Sequence, residues 1–378
     1  MKIADVASAT LGGAHFVRIT TDTGLTGLGQ SACWAYPNAV HEVIQTFARY
    51  LIGQNPLRIE HHWQHLYRMG PFRGSVLSGA LSAVDIALWD IKGQQLQAPI
   101  WELLGGACRD RIRLHLLMGG GTPEQVARNA RAAAEQGFTA IKFDPIPEGY
   151  GDLTLAALVK EIVDRVAAAR EAVKTDVDII LEMHRKLTPL QALPVVEAVA
   201  QFQPLFIEDP IQIDSIMSQA EIARRVSSPI ANGERLHTIW EFRELLVQGG
   251  SQFVRPDVGL AGGLTQCKKI AAIAESFHAA IVTHNFLGPV LTAASAHLDV
   301  SVPNFVVQEY TLADEGEKWA AFTGALKRTG GYLAAPEAPG LGVRLSDEAA
   351  AAVNRLGPLT RELHEIPLRK DGSVVYAV

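Results

Sequence analysis

The chain is 378 residues long, 48% hydrophobic and 20% charged, with a formal net charge of -6. This is ordinary globular usage, which excludes a disordered chain; at about 150 residues per domain it fits two or three units, or one barrel with an appended domain. No stretch gathers Lys and Arg into a basic stripe and no apolar run approaches the roughly 20 residues of a membrane span, so neither nucleic acid nor a membrane is an expected partner.

MKIADVASAT opens the sequence without the apolar core of a signal peptide, and a soluble, cytoplasmic protein is expected. Residues 15–31, HFVRITTDTGLTGLGQS, alternate, turn at Thr23-Gly24 and alternate again, which is a hairpin pattern. VHEVIQTFARYLIG and residues 75–96, ending in IALWDIKGQQL, carry apolar side chains at three and four spacing and read as helices. His61, His62 and His65 fall on a further helix with no other ligand nearby, so a solvated face is expected. The first hundred residues therefore form an α+β unit. Cys33, Cys108 and Cys267 are odd in number and far apart, which fits buried small side chains better than a disulfide framework or a zinc site.

From about residue 112 strand and helix patterns alternate. The strand candidates are 111–117, 138–144, 177–184, 204–209, 229–234, 252–257, 279–284 and 305–309, with seven amphipathic stretches between them. That repeat predicts a (β/α) barrel of modified TIM type, with a doubly wound open sheet as the alternative. The expected division is an N-terminal α+β capping domain over 1–110, the barrel over 111–310, and a Gly/Pro-rich C-terminal segment over 311–378 that packs back on the capping domain and completes it.

Strands three to eight end in ionisable groups: Glu182 and His184, Glu208, Glu234, Asp257, His284 and Glu309. Parallel barrel strands converge at their C-terminal ends, so these residues are expected at one mouth. Glu182, Glu208 and Glu234 follow one another at intervals of 26 residues, one strand-helix unit each. Three carboxylates at one level repel unless a cation lies between them. Hard oxygen ligands point to Mg2+, with Mn2+ as a substitute, and about three of some six coordination positions are left for water or substrate. Three carboxylates and a divalent cation sum to -1, so an anionic substrate needs further donors. Asp257 is placed to hold the His284 imidazole as a base, while His184 approaches from the opposite side as an acid.

These residues resemble a known family. ALSAVDIALWDIKG (80–93), APIWELLGG, KFDP, LEMHRK, FIEDP, NGERL, RPDVGLAGGLTQCKKIA (255–271), THNFLGP, the pair Gln308-Glu309 and PGLGV (339–343) run in the order of the enolase superfamily, mandelate racemase branch, closest in pattern to its acid-sugar dehydratases acting on galactonate, gluconate or arabinonate. The resemblance implies magnesium held by Glu182, Glu208 and Glu234, and a His284–Asp257 dyad that removes the proton alpha to a carboxylate. It also implies His184 as the acid that assists departure of the 3-hydroxyl, and Glu309 as a hydrogen-bonding group near the substrate carboxylate. The product is then a 2-keto-3-deoxy sugar acid. A homo-oligomer is common for this architecture, and no residue specifies the subunit number.

Two departures stand out. The racemase pattern has Lys-x-Lys at the second strand end, whereas here it reads Lys142-Phe143-Asp144, which removes a base from that side and favours elimination over two-base racemisation. Lys142 is a candidate substrate contact, and Asp144 is either a ligand for a substrate hydroxyl or a plain strand-end residue. The first metal ligand is Glu182 where much of the family has Asp. The resemblance implies specificity loops from the first domain, here near Leu11–His15 and 69–75, where Arg73 is a candidate contact for the distal end of the substrate. An epimerase or cycloisomerase using the same enediolate is the alternative activity. A barrel kept only for binding has no need of the whole constellation.

Overall fold

Strands β1 (Ile3–Leu11), β2 (Ala14–Thr21) and β3 (Thr26–Ser31) form an antiparallel sheet in sequence order. The turn between β2 and β3 is the expected one: Gly24 N donates to Thr21 O, and Gly24 takes the left-handed backbone at φ 85°. β1 escaped pattern reading because small Ala and Ser residues dilute its alternation. In this computed structural model the described residues are 1–11, 13–346, 348–349 and 368–375.

Helices α1 (Pro37–Leu51), α2 (Ile59–Arg68) and α3 (Ser75–Leu96) follow, then the short α4 (Ile100–Leu103). α3 is buried on nearly every side because the capping sheet packs on one of its faces and the barrel on another. β3 lies so close that a Cβ at Gly29 would stand 1.8 Å from Ala83 O, which restricts that position to glycine.

The eight barrel strands are β4 (Arg111–Leu117), β5 (Ala140–Phe143), β6 (Asp178–Glu182), β7 (Phe206–Glu208), β8 (Ile230–Asn232), β9 (Phe253–Val254), β10 (Ala280–Ile281) and β11 (Gln308–Tyr310). β4 to β10 pair in order, all parallel, and β11 pairs back on β4. The seam between β10 and β11 is joined by the bridge Ile281–Phe305 and by hydrogen bonds from Val306 N to Ile281 O and Glu309 N to Thr283 O. The seven intervening helices are α5 (Pro123–Glu135), α6 (Leu155–Val173), α7 (Pro189–Val199), α8 (Ile216–Arg225), α9 (Ile239–Val247), α10 (Gly263–Ser276) and α11 (Pro289–Ser301). The Thr122, Thr154, Ser215 and Thr238 side chains cap four of them.

An apolar cluster of Ala140, Ile180, Phe206, Ala231, Val282 and Val307 fills the barrel. The strand period of two then places Lys142, Glu182, Glu208, His284 and Glu309 two positions beyond five of these residues, directly above that floor. The floor thus sets the height of the site.

After the barrel come β12 (Phe322–Thr323), β13 (Arg328–Thr329), β14 (Tyr332–Ala334) and β15 (Arg344–Leu345). β14 adds antiparallel to β4, and the chain returns to α3, where Leu341 N donates to Asp90 Oδ1 at 2.8 Å and Gly340 N to Ala98 O. Residues 368–375 rest instead on the loop after β5, with Arg369 Nε donating to Gly151 O and Lys370 N to Asp152 Oδ1. No described helix is long and apolar enough to cross a membrane.

Two expectations are corrected. Cys108 is exposed, because it sits in the irregular link between α4 and β4, while Cys33 and Cys267 are buried. His62 is not on a solvated face: its ring turns inward, with Nδ1 against Tyr50 Oη and Nε2 against Asn55 O.

Candidate active site

The C-terminal ends of the strands carry a buried charge network. Lys142 Nζ, from β5, lies 3.0 Å from Glu182 Oε2, 3.0 Å from Glu208 Oε2 and 2.7 Å from Glu309 Oε1. Arg255, fully buried, bridges Glu208 at 2.5 Å and Glu309 at 2.6 Å. Arg185 Nη1 joins Asp209 and Glu234, each at 2.6 Å, and Arg235 reaches Glu234 at 3.1 Å.

Glu182, Glu208 and Glu234 each offer an oxygen, and those oxygens all lie within 4.8 Å of one another in a buried position. An all-carboxylate donor set with an ammonium already lodged between two members fits a hard divalent cation. Burial pushes the Glu182 carboxyl up, but Lys142 and His184 outweigh it and bring it down to about 2. Burial prevails at Glu208 despite Arg255 and Lys142, and its carboxyl is held well above the ordinary range. At Glu234 burial is overcome by Arg235, His284 and Arg185, and its carboxyl falls. Three chemically identical groups are thus driven apart by their neighbours, as happens where charge is handled.

His284 Nδ1 lies 2.6 Å from Asp257 Oδ2, and its Nε2 points to the triad, 3.3 Å from Glu234 Oε2. Asp257 is itself held, since its Oδ1 accepts Gly259 N at 2.7 Å. That loop is pinned from the capping domain: Ala32 N donates to Gly259 O, Ser82 Oγ accepts Gly262 N, and Trp63 Nε1 donates to Gly262 O.

On the far side, His184 Nδ1 meets Asp144 Oδ2 at 2.7 Å, and Glu182 Oε1 accepts His184 N at 2.8 Å. Strand geometry has already ended there. His184 has φ 47°, Arg185 φ 62° and Asp209 φ 40°, a left-handed backbone that costs about 1–2 kcal/mol per non-glycine residue. The period of two therefore does not carry to His184, whose direction is set by this turn and by Asp144. Strain of this kind concentrates at functional sites.

The expected residues Glu182, Glu208, Glu234, Lys142, Asp257, His284 and Glu309 meet in one network, with His184 and Asp144 at its rim. Arg73 lies apart: it donates to Gly70 O and Phe72 O and packs over the Tyr67 ring. His237 joins the two domains through Ser75 Oγ at 2.8 Å. Arg255, Arg185, Asp209 and Lys186 received no role in the sequence reading. A signal existed for Arg255, which precedes Asp257 by two positions at the same strand end; Arg185 and Asp209 stand beyond the strands on a left-handed backbone, where the period of two does not apply.

The mandelate racemase/muconate lactonizing enzyme N-terminal domain matches residues 4–105, and the enolase C-terminal domain-like family matches 125–350. A D-galactonate dehydratase of Ralstonia nicotianae is 35% identical over 366 residues, 95% of each chain, and one of Cronobacter sakazakii is 34% identical over 89% of this chain and 90% of its own. Among solved structures, a mandelate racemase/muconate lactonizing enzyme from Jannaschia sp. has a TM-score of 0.84 at 34% identity, covering 95% of this chain and 99% of that one. An enolase from Agrobacterium radiobacter, with bound Na and L-malate, has a TM-score of 0.91 at 28% identity over the whole of both chains. With both domain models matched in order along one chain, this protein belongs to the mandelate racemase/muconate lactonizing branch of the enolase superfamily.

Proposed function

We propose that the chain is a magnesium-dependent aldonate dehydratase that converts a sugar acid to its 2-keto-3-deoxy acid, with D-galactonate the first substrate to test. One observation carries this reading: two histidines, each with Nδ1 against an aspartate, stand on opposite sides of the barrel with a carboxylate triad between them. In this reading residues 1–110 cap the barrel of 111–310, and 311–378 form the C-terminal segment.

Glu182, Glu208 and Glu234 would hold Mg2+, which supplies Lewis-acid stabilisation of an enediolate. With Nδ1 engaged by Asp257, His284 Nε2 is the atom that takes the alpha proton. Lys142, Arg255 and Glu309 hold the base of the pocket, where Lys142 is the donor for a substrate carboxylate and Glu309 accepts from Lys142 and Arg255 beside it. His184 protonates the departing 3-hydroxyl. No lysine stands at 144, so the second side offers an acid rather than a second base, which favours elimination. The relatives act on D-galactonate by name, and the bound L-malate of the Agrobacterium structure is a 2-hydroxy acid, the same unit that this chemistry requires.

The test is a panel of C5 and C6 sugar acids, D-galactonate included, with and without magnesium, read by semicarbazide trapping of a keto product. Turnover of at least one acid that depends on the metal supports the proposal. Formation of the C2 epimer carrying solvent hydrogen at the alpha carbon, with no keto product from any acid, would instead establish an epimerase.

A further inference from the structure

We propose that Asp144 is a positioning residue that fixes the His184 ring for acid catalysis, forming a second aspartate–histidine pair opposite Asp257–His284. This rests on the dehydratase reading above. Asp144 follows the last residue of β5 and His184 lies two residues beyond β6, and the two strands are hydrogen-bonded neighbours. His184 leaves the strand on a left-handed backbone, so the ladder does not aim its ring, and a contact from outside its own strand has to. Asp144 Oδ2 supplies it at 2.7 Å from Nδ1.

Asp144 is in turn held from two sides. Its Oδ2 also accepts Lys186 Nζ at 2.6 Å, and its Oδ1 accepts Ile146 N at 2.8 Å. Both oxygens already have protein donors, two on Oδ2 and one on Oδ1, so the carboxylate is oriented by the protein before any substrate arrives. A carboxylate that accepts from Nδ1 keeps a proton there and leaves Nε2 as the ring atom that exchanges one. In the elimination the Nε2 proton moves to the 3-hydroxyl oxygen as the C3–O bond breaks and its electron pair leaves with water. The enediolate electrons form the C2–C3 double bond, and His184 is left neutral with Nδ1–H still on Asp144.

The experiment compares wild type, Asp144→Asn and Asp144→Ala with magnesium and the best substrate from the panel, in deuterated water. Removing orientation from a general acid is expected to lower kcat for dehydration about 100-fold, with KM unchanged. Because the enediolate then returns to substrate, deuterium enters C2 of recovered substrate. Loss of dehydration with no deuterium entry overturns the proposal, as does a raised KM with kcat retained, which marks a hydroxyl contact. A second readout needs no turnover: in substrate-free enzyme labelled with 15N-histidine, the proton on His184 Nδ1, assigned with His184→Asn, should lose its low-field position in Asp144→Ala. An unchanged signal overturns the pairing. If wild type acts on no sugar acid, the function reading fails while the NMR result still decides the pair.

Discussion

Asp257 Oδ2 and His284 Nδ1 lie 2.6 Å apart, across adjacent strand ends that are themselves bridged at these two residues. The aspartate can therefore hold the imidazole without moving. His284→Asn should lower both alpha-proton exchange and dehydration, by about 100-fold to 10,000-fold, since general base catalysis is worth that much. Retained turnover, measured by semicarbazide trapping, would place the base elsewhere.

His184 is expected to serve only the second half of the reaction. His184→Asn should abolish dehydration yet leave deuterium entry at C2, followed by proton NMR. Loss of both together would show that it also assists proton removal.

Arg255 and Lys142 are both buried cations shared by Glu208 and Glu309. Arg255→Met removes the guanidinium and leaves both carboxylates to Lys142, which should cost about 3–5 kcal/mol in urea unfolding. A shift under about 1 kcal/mol would mean that Lys142 alone neutralises both acids.

Metal binding should appear as stability. Magnesium at 100 times its Kd should add about 2.7 kcal/mol, seen as a raised Tm that EDTA reverses. Glu208→Gln should abolish the increment; the same rise in that variant would place the cation at another site.

Asp85 of α3 lies buried at the start of α10, where its Oδ2 accepts Thr265 N at 3.0 Å. Burial raises its carboxyl to about 7 despite that bond. Its unfolded value is the ordinary one near 3.8, so the folded state holds a proton that the unfolded chain has lost in between. The associated stability is complete below the ordinary value and lost as the pH climbs through about 7. The urea midpoint should therefore fall from pH 5 to pH 8, and Asp85→Asn should flatten the fall. An unaltered slope in the variant would remove Asp85 as its source.

What the sequence by itself determined is the barrel and the height of its charges. Apolar strands alternating with amphipathic helices leave few other ways to bury both faces of a parallel sheet, and each strand's period of two lifts Glu182, Glu208 and Glu309 above the floor residues Ile180, Phe206 and Val307. Tertiary structure alone decided the partners. Lys142 reaches acids on three other strands, which no local spacing encodes. Arg185, Asp209 and His184 take directions that strand periodicity cannot anticipate, because a left-handed backbone in a non-glycine residue persists only where surrounding contacts impose it. His62 turned inward for a similar reason: a helix face is solvated or buried according to what packs on it, and Tyr50 and Asn55 lie outside its own helix.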